Sequence, residues 1–117
     1  PENQERLLEQ LRPHYLILKP SLHGGFSNCD KWIELASKFG TRWWSTSALE
    51  SNIGLNGIAQ WAATHALKLP QGLGTGGLYE NNIPSPIQIK SGFLHYSDNQ
   101  SWDVSSIFTD LSSIEKF

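Results

Sequence analysis

Lys19 closes the apolar run His14–Leu18 (HYLIL) and is followed by Pro20 and the glycine-containing stretch Ser21–Ser27 (SLHGGFS). Partial desolvation at the carboxyl end of a buried strand suits an ammonium group to proton transfer, or to service as a fixed cation. A plainer account also fits, a long side chain lying along a strand end with its charge in water. A second group is Thr46, Ser47, Glu50, Ser51 and Asn52. Hydroxyls at a strand tip that runs into a helix start can bind a carboxylate, helped by exposed backbone N–H groups. The plainer account is that Ser51 and Asn52 cap the helix and Glu50 complements its dipole. A third group is Gly72-Leu73-Gly74-Thr75-Gly76-Gly77. It follows a helix instead of opening one and carries no Gly-Lys-Ser/Thr, so it is neither a dinucleotide fingerprint nor a P-loop.

Other reactive side chains are scattered. His14, His23, His65 and His95 have no metal-ligand spacing, and Cys29 stands alone. His23 lies in the loop after Lys19, within reach of anything bound there. Trp32, Trp43, Trp44 and Trp61 occupy core-like positions and read as packing.

Elements that could hold these groups alternate along the chain. Glu2–Leu11 has helical spacing, with Leu7, Leu8 and Leu11 on one face, and Pro13 stops it. The run ending at Leu18 is apolar on both faces, as a buried parallel strand is. A helix carrying Trp32, Ile33, Leu35, Ala36 and Phe39 follows, capped by Asn28 or Asp30 and ended by Gly40. Arg42–Ala48 is a second strand. Glu50–Leu67 is a longer helix with Ile53, Leu55, Ile58, Ala59, Trp61, Ala62 and Leu67 as its apolar positions, and Pro70 marks its end. A third strand is expected around Gln71–Leu73. This alternation predicts an α/β fold with parallel strands and right-handed helical crossovers. After Tyr79 the pattern changes: Pro84 and Pro86 forbid a regular helix, Ile87–Tyr96 alternates weakly, and Ser97–Gln100 is turn-like. A hairpin or extended tail is expected there. The predicted organisation is thus 1–79 as strand–helix units and 80–117 as a tail.

Bulk properties exclude several classes. The 117 residues are 38% hydrophobic and 17% charged, as an ordered globular chain is. A net charge of −2 gives no footprint for nucleic acid or anionic membrane. One cysteine permits no internal disulfide, which fits a cytoplasmic setting. The chain starts at a proline and contains no methionine, which suggests a piece of a longer polypeptide. Three such strands would leave both sheet edges open, so completion by a larger structure is expected.

Taken together, LILKPSLHGG (16–25), STSALESNIGLNGIAQWAA (45–63) and PQGLGTGGLY (70–79) resemble the sixth, seventh and eighth strand tips of the o-succinylbenzoate synthase family in the enolase superfamily. The resemblance covers roughly Tyr15–Tyr79. Lys-Pro after the sixth strand and Glu-Ser-x-x-Gly-Leu after the seventh are specific in combination. It implies the C-terminal portion of a (β/α)7β TIM-like barrel, with the tail returning toward an α+β capping domain. It also implies a Mg²⁺-dependent lyase that dehydrates 2-succinyl-6-hydroxy-2,4-cyclohexadiene-1-carboxylate to o-succinylbenzoate in menaquinone biosynthesis. Lys19 matches the sixth-strand catalytic lysine, whose implied role is an electrostatic or cation–π contact to the dienyl intermediate. Thr46 and Ser47 match tip positions that bind the substrate's succinyl carboxylate, and Gly72 and Gly74 match the eighth-strand tip that lines the pocket. The Mg²⁺ ligands and the base lysine are expected upstream of this chain, as are the rest of the barrel and the capping domain, its implied partners. Alone, these 117 residues are expected to be inactive. The nearest alternatives are an N-succinylamino acid racemase and a dipeptide epimerase. Gly-Leu-Gly-Thr in place of an Asp-x-Asp at the eighth tip disfavours the epimerase. A non-catalytic strand–helix binding module is the alternative of another class.

Overall fold

Two short apolar runs find each other in parallel and organise the chain. The computed structural model describes residues 2–65, 68–105 and 107–108. Strand β1 (Tyr15–Leu18) pairs with β2 (Arg42–Ser45) in a register that sets Tyr15 against Arg42 and Leu18 against Ser45. Helix α1 (Glu2–Leu11) precedes them, α2 (Gly25–Lys38) makes the crossover, and α3 (Asn52–Ala63) follows β2. The expected helix–strand order is present. A 3₁₀ turn (Gly74–Leu78) then leads to an antiparallel hairpin of β3 (Ile87–Lys90) and β4 (Phe93–Tyr96).

Boundaries depart from expectation for local reasons. Helix α2 begins at Gly25, before Asn28 and Asp30, and neither caps it. Gly24 and Gly25 both have positive φ (79° and 81°), which turns the chain into the helix early. Asn28 Nδ2 instead donates to the His23 carbonyl at 2.6 Å, and Asp30 accepts from Trp61 Nε1 at 2.9 Å. Gly40, at φ 67°, does end α2. Strand β2 stops at Ser45, short of Ala48, whose N–H is taken by the Glu50 carboxylate at 2.7 Å. The third strand shrinks to one parallel bridge between Thr46 and Gly72. Pro70 lacks a donor and the 3₁₀ turn starts at Gly74, so little chain remains to pair. In α3, Ile53 is exposed, while Leu55, Ile58 and Ala62 face inward at helical spacing. The predicted end of that helix at Leu67 lies outside the described residues, as does the tail beyond residue 108. The hairpin turns at Ser91-Gly92, where successive positive φ values (51° and 79°) match the right-handed twist of the strands. Ser97–Gln100 forms a separate turn.

Core packing is one-sided. Leu18, Cys29, Trp61 and Ala62 form a cluster, with Leu16, Trp32, Ile33 and Trp43 against it. Three of the four tryptophans expected to pack therefore line this layer between the sheet and the helices. A smaller cluster of Leu55, Ile58 and Leu73 packs with Leu94. The opposite face of the sheet carries Tyr15 and Ile17, 37% and 49% exposed, and Trp44 tilted against Tyr15 at 5.4 Å. The molecule is a slab of 50 × 41 × 21 Å with a radius of gyration of 17.2 Å. A closed domain of this length would have about 13 Å. Its accessible surface is 8370 Å², against roughly 6,400 Å² for a self-contained monomer of this mass. Among the described residues, one sheet layer and one helix layer leave the second sheet face uncovered. No helix among the described residues is long and apolar enough to cross a membrane.

Cys29 is fully buried, and its thiol is pushed above the ordinary range by burial first and by the neighbouring Asp30 carboxylate second. The neutral thiol is therefore the favoured form. Because the folded pKa is the higher one, this contribution to stability is intact at neutral pH and is lost as pH rises past the ordinary thiol range. At pH 8 a thiol reagent such as DTNB is expected to react with Cys29 at least about tenfold more slowly in the native chain than in the denatured chain. Equal rates would show that the cluster around Leu18 and Trp61 is open.

Candidate active site

Three chain segments end abreast on one edge of the slab. Thr46 N–H donates to the Leu18 carbonyl at 2.9 Å, which continues the β1–β2 register by one step and sets Lys19 level with Thr46. Gly72 N–H donates to the Ser45 carbonyl at 2.8 Å, and Ser47 N–H donates to the Gly72 carbonyl at 3.1 Å, which places Gly72 beside Thr46. Side chains alternate along a strand. Leu16 and Leu18 point to the helices, so Tyr15, Ile17 and then Lys19 belong to the bare face. Arg42, stacked 4.3 Å over the Tyr15 ring, and Trp44 are on that face too, and Thr46 is the next position. Lys19 itself is half-buried. Of the five predicted site residues, Lys19, Thr46 and Gly72 are thus brought into one row.

The backbone at Lys19 is tied by its own loop. Its carbonyl accepts the N–H groups of Leu22 (2.9 Å) and His23 (3.0 Å). Its N–H donates to Nδ1 of His23 at 3.0 Å. The following turn is held by Gly25 N–H on the Pro20 carbonyl at 2.8 Å.

Ser47 is buried, and its hydroxyl pairs with that of Thr75. Thr46 Oγ1 is buried and has no hydrogen-bond partner among the described residues. A buried hydroxyl left unpaired is costly, and the neighbouring Ser45 hydroxyl is unpaired among the described residues as well. At Gly72 an added Cβ would lie 2.6 Å from Thr46 Cγ2, so the pairing requires glycine there. At Gly74 the same atom would meet nothing within 4 Å.

Glu50, Ser51 and Asn52 serve structure. Glu50 accepts Ser21 Oγ at 2.5 Å as well as the Ala48 N–H, and so links the loop after β1 to the loop after β2. Ser51 stands at the start of α3 without a side-chain cap bond. The cap comes instead from Asn82, whose Oδ1 accepts the Asn52 N–H at 2.8 Å. Asn82 Nδ2 donates to the Gly76 carbonyl (2.8 Å) and to Asn52 Oδ1 (3.0 Å), while Asn52 Nδ2 donates to the Ile83 carbonyl (2.7 Å). Tyr79 OH donates to the carbonyl of Leu49, a non-glycine residue at φ 67°. Thr75 belongs to the glycine-rich run, whereas Tyr79 and Asn82 carry no candidate role in the sequence. An Asn-Asn pair before Ile-Pro signals a turn, but nothing local indicates a partner 30 residues away.

No three His, Cys, Asp or Glu side chains among the described residues are placed to hold a metal ion. A Mg²⁺ ion therefore does not fit a site built from these residues alone.

Parallel strands joined by helices, with polar groups at their carboxyl ends, define the ligand-binding edge of an α/β protein. No family model matches the chain. It is 53% identical over 96 residues to o-succinylbenzoate synthase of Desulfotalea psychrophila (strain LSv54 / DSM 12343), a match covering 82% of this chain and 26% of that protein. The crystal structure of MenC from Desulfotalea psychrophila LSv54 matches with a TM-score of 0.76 at 53% identity, over 80% of this chain and 26% of that one. The resemblance read from the strand-tip motifs is borne out, and the chain spans about a quarter of the length of these relatives.

The Gly72–Thr46 contact yields a suppressor test. Gly72→Ala is expected to destabilise the protein by about 1–3 kcal/mol through overpacking against Thr46 Cγ2. Thr46→Ser, which removes that methyl, is expected to restore most of the loss in the double variant. Additive losses in denaturant titrations would disprove the contact.

Proposed function

We propose that this chain is the C-terminal part of an o-succinylbenzoate synthase and supplies the sixth to eighth strand tips of its barrel. The observation that carries the reading is the row of Lys19, Thr46 and Gly72 along one edge, on the sheet face that no element among the described residues covers. In a (β/α)7β barrel that face would be the interior, and its remaining wall would come from the upstream strands and the capping domain. Residues 1–79 are the barrel portion in this reading, and 80–117 the tail. The parent enzyme would act in the cytoplasm.

The reaction removes the proton α to the substrate carboxylate and expels hydroxide from the ring, giving o-succinylbenzoate and water. The base and the Mg²⁺ ligands belong to upstream strands. Lys19 would present its ammonium to the face of the dienyl intermediate, where fixed positive charge lowers the energy of the developing anion. Contact with the π system adds a cation–π component. Thr46 and Ser47 would hold the succinyl carboxylate. The unpaired Thr46 Oγ1 is available as a donor, and the Ser47 hydroxyl, shared with Thr75, would turn to the ligand. Gly72 and Gly74 would line the pocket with backbone.

In the full-length protein assayed with Mg²⁺ and 2-succinyl-6-hydroxy-2,4-cyclohexadiene-1-carboxylate, Lys19→Ala is expected to lower kcat by roughly 100-fold or more, with little change in thermal stability. Turnover at the wild-type level would remove Lys19 from the mechanism.

A further inference from the structure

We propose that His23 is the positioning residue for Lys19 and acts through Nδ1. The inference rests on the reading of Lys19 given above and extends it to a residue with no assigned role. In the parallel ladder, Leu18 gives its carbonyl to β2, so the backbone groups of Lys19 fall on the edge away from β2. No strand of this chain pairs there among the described residues. Its N–H nevertheless has a partner, His23 Nδ1 at 3.0 Å, and its carbonyl has two, Leu22 and His23 N–H. His23 therefore contacts Lys19 twice, once through its backbone and once through its ring. The ring contact is the one a substitution can remove.

This arrangement fixes the tautomer. An Nδ1 that accepts from a backbone N–H carries no proton, so the ring proton is on Nε2. The ring is half-buried, and its backbone carbonyl is held by Asn28 Nδ2. Freeing the Lys19 N–H would loosen the one backbone unit from which the ammonium-bearing side chain projects, and small displacements of a charge from a reacting centre cost rate.

The test uses side chains that mimic one ring nitrogen at a time. Asn places Oδ1 near the position of Nδ1, and Gln places its amide near Nε2. In the full-length protein, His23→Asn is expected to keep kcat within about threefold, while His23→Gln and His23→Ala lower it on the order of tenfold with KM little changed. In a Lys19→Ala background, His23→Ala is expected to have no further effect, because a residue acting through Lys19 has nothing left to position. The ¹⁵N chemical shifts of the His23 ring provide a readout independent of activity, and an unprotonated Nδ1 is expected. Gln retaining activity while Asn loses it, or the same loss without Lys19, or a protonated Nδ1, would each overturn the proposal. If the wild-type protein lacks dehydratase activity, the functional reading fails, and the ring shifts still decide whether His23 holds Lys19.

Discussion

Parallel pairing of Tyr15–Leu18 with Arg42–Ser45 is the constraint on which the rest depends. In a parallel ladder both strands run out at the same edge, so the residues after them meet without further instruction. Lys19 comes level with Thr46 for this reason alone. The pairing also divides the side chains. Leu16, Leu18 and Trp43 go to the helices and bring Cys29, Trp61 and Ala62 with them, while Tyr15, Ile17 and Trp44 go to the other face. A one-residue slip would exchange the two sets and put Tyr15 and Ile17 under α2. Burial of Leu18 and Trp61 thus secures the register, and the register secures the row at the tips.

Polar contacts then join loops that the ladder leaves independent. Glu50 connects Ser21 to the segment after β2, and Asn82 connects the start of α3 to the 3₁₀ turn. Each bond is worth about 1 kcal/mol net, little beside the apolar core. Their value is directional. An apolar contact tolerates sliding, whereas a carboxylate or amide shared between two loops holds only in one arrangement. Side chains that local reading would assign to helix capping are used here for spacing between tips.

Legibility in the sequence followed the range of the interaction. Apolar periodicity placed α1, β1, α2, β2 and α3, because a helix or strand reports its period within a few residues. The Lys-Pro and Glu-Ser-x-x-Gly-Leu motifs pointed to the family resemblance because they sit on adjacent tips at set intervals. Ends of elements were less legible. Asn28 is a good cap in isolation, but two glycines with positive φ start the helix earlier. Gln71–Leu73 has the composition of a strand, but a proline on one side and a 3₁₀ turn on the other leave a single bridge. Ile53 fits the helical spacing and still faces solvent. The Asn52–Asn82 and Ser47–Thr75 pairs were not legible at all, since each joins residues about 30 positions apart with no periodic signature.

The site divides in the same way between what this chain determines and what it leaves open. The Lys19 backbone is satisfied within residues 19–25, and the Thr46–Gly72 contact within the sheet edge. These groups are preformed without help from any other strand. The wall they face is not. Tyr15, Ile17 and Trp44 make a partly exposed apolar surface with Arg42 lying over the Tyr15 ring, and in the proposed reading that face would be the barrel interior. A barrel buries such a face only when all its strands are present. The proposed chemistry therefore splits along a physical line. Placement of the cation and of the hydroxyls is local to these residues, whereas exclusion of water, which would give that charge its effect on a transition state, would fall to the strands proposed to complete the barrel.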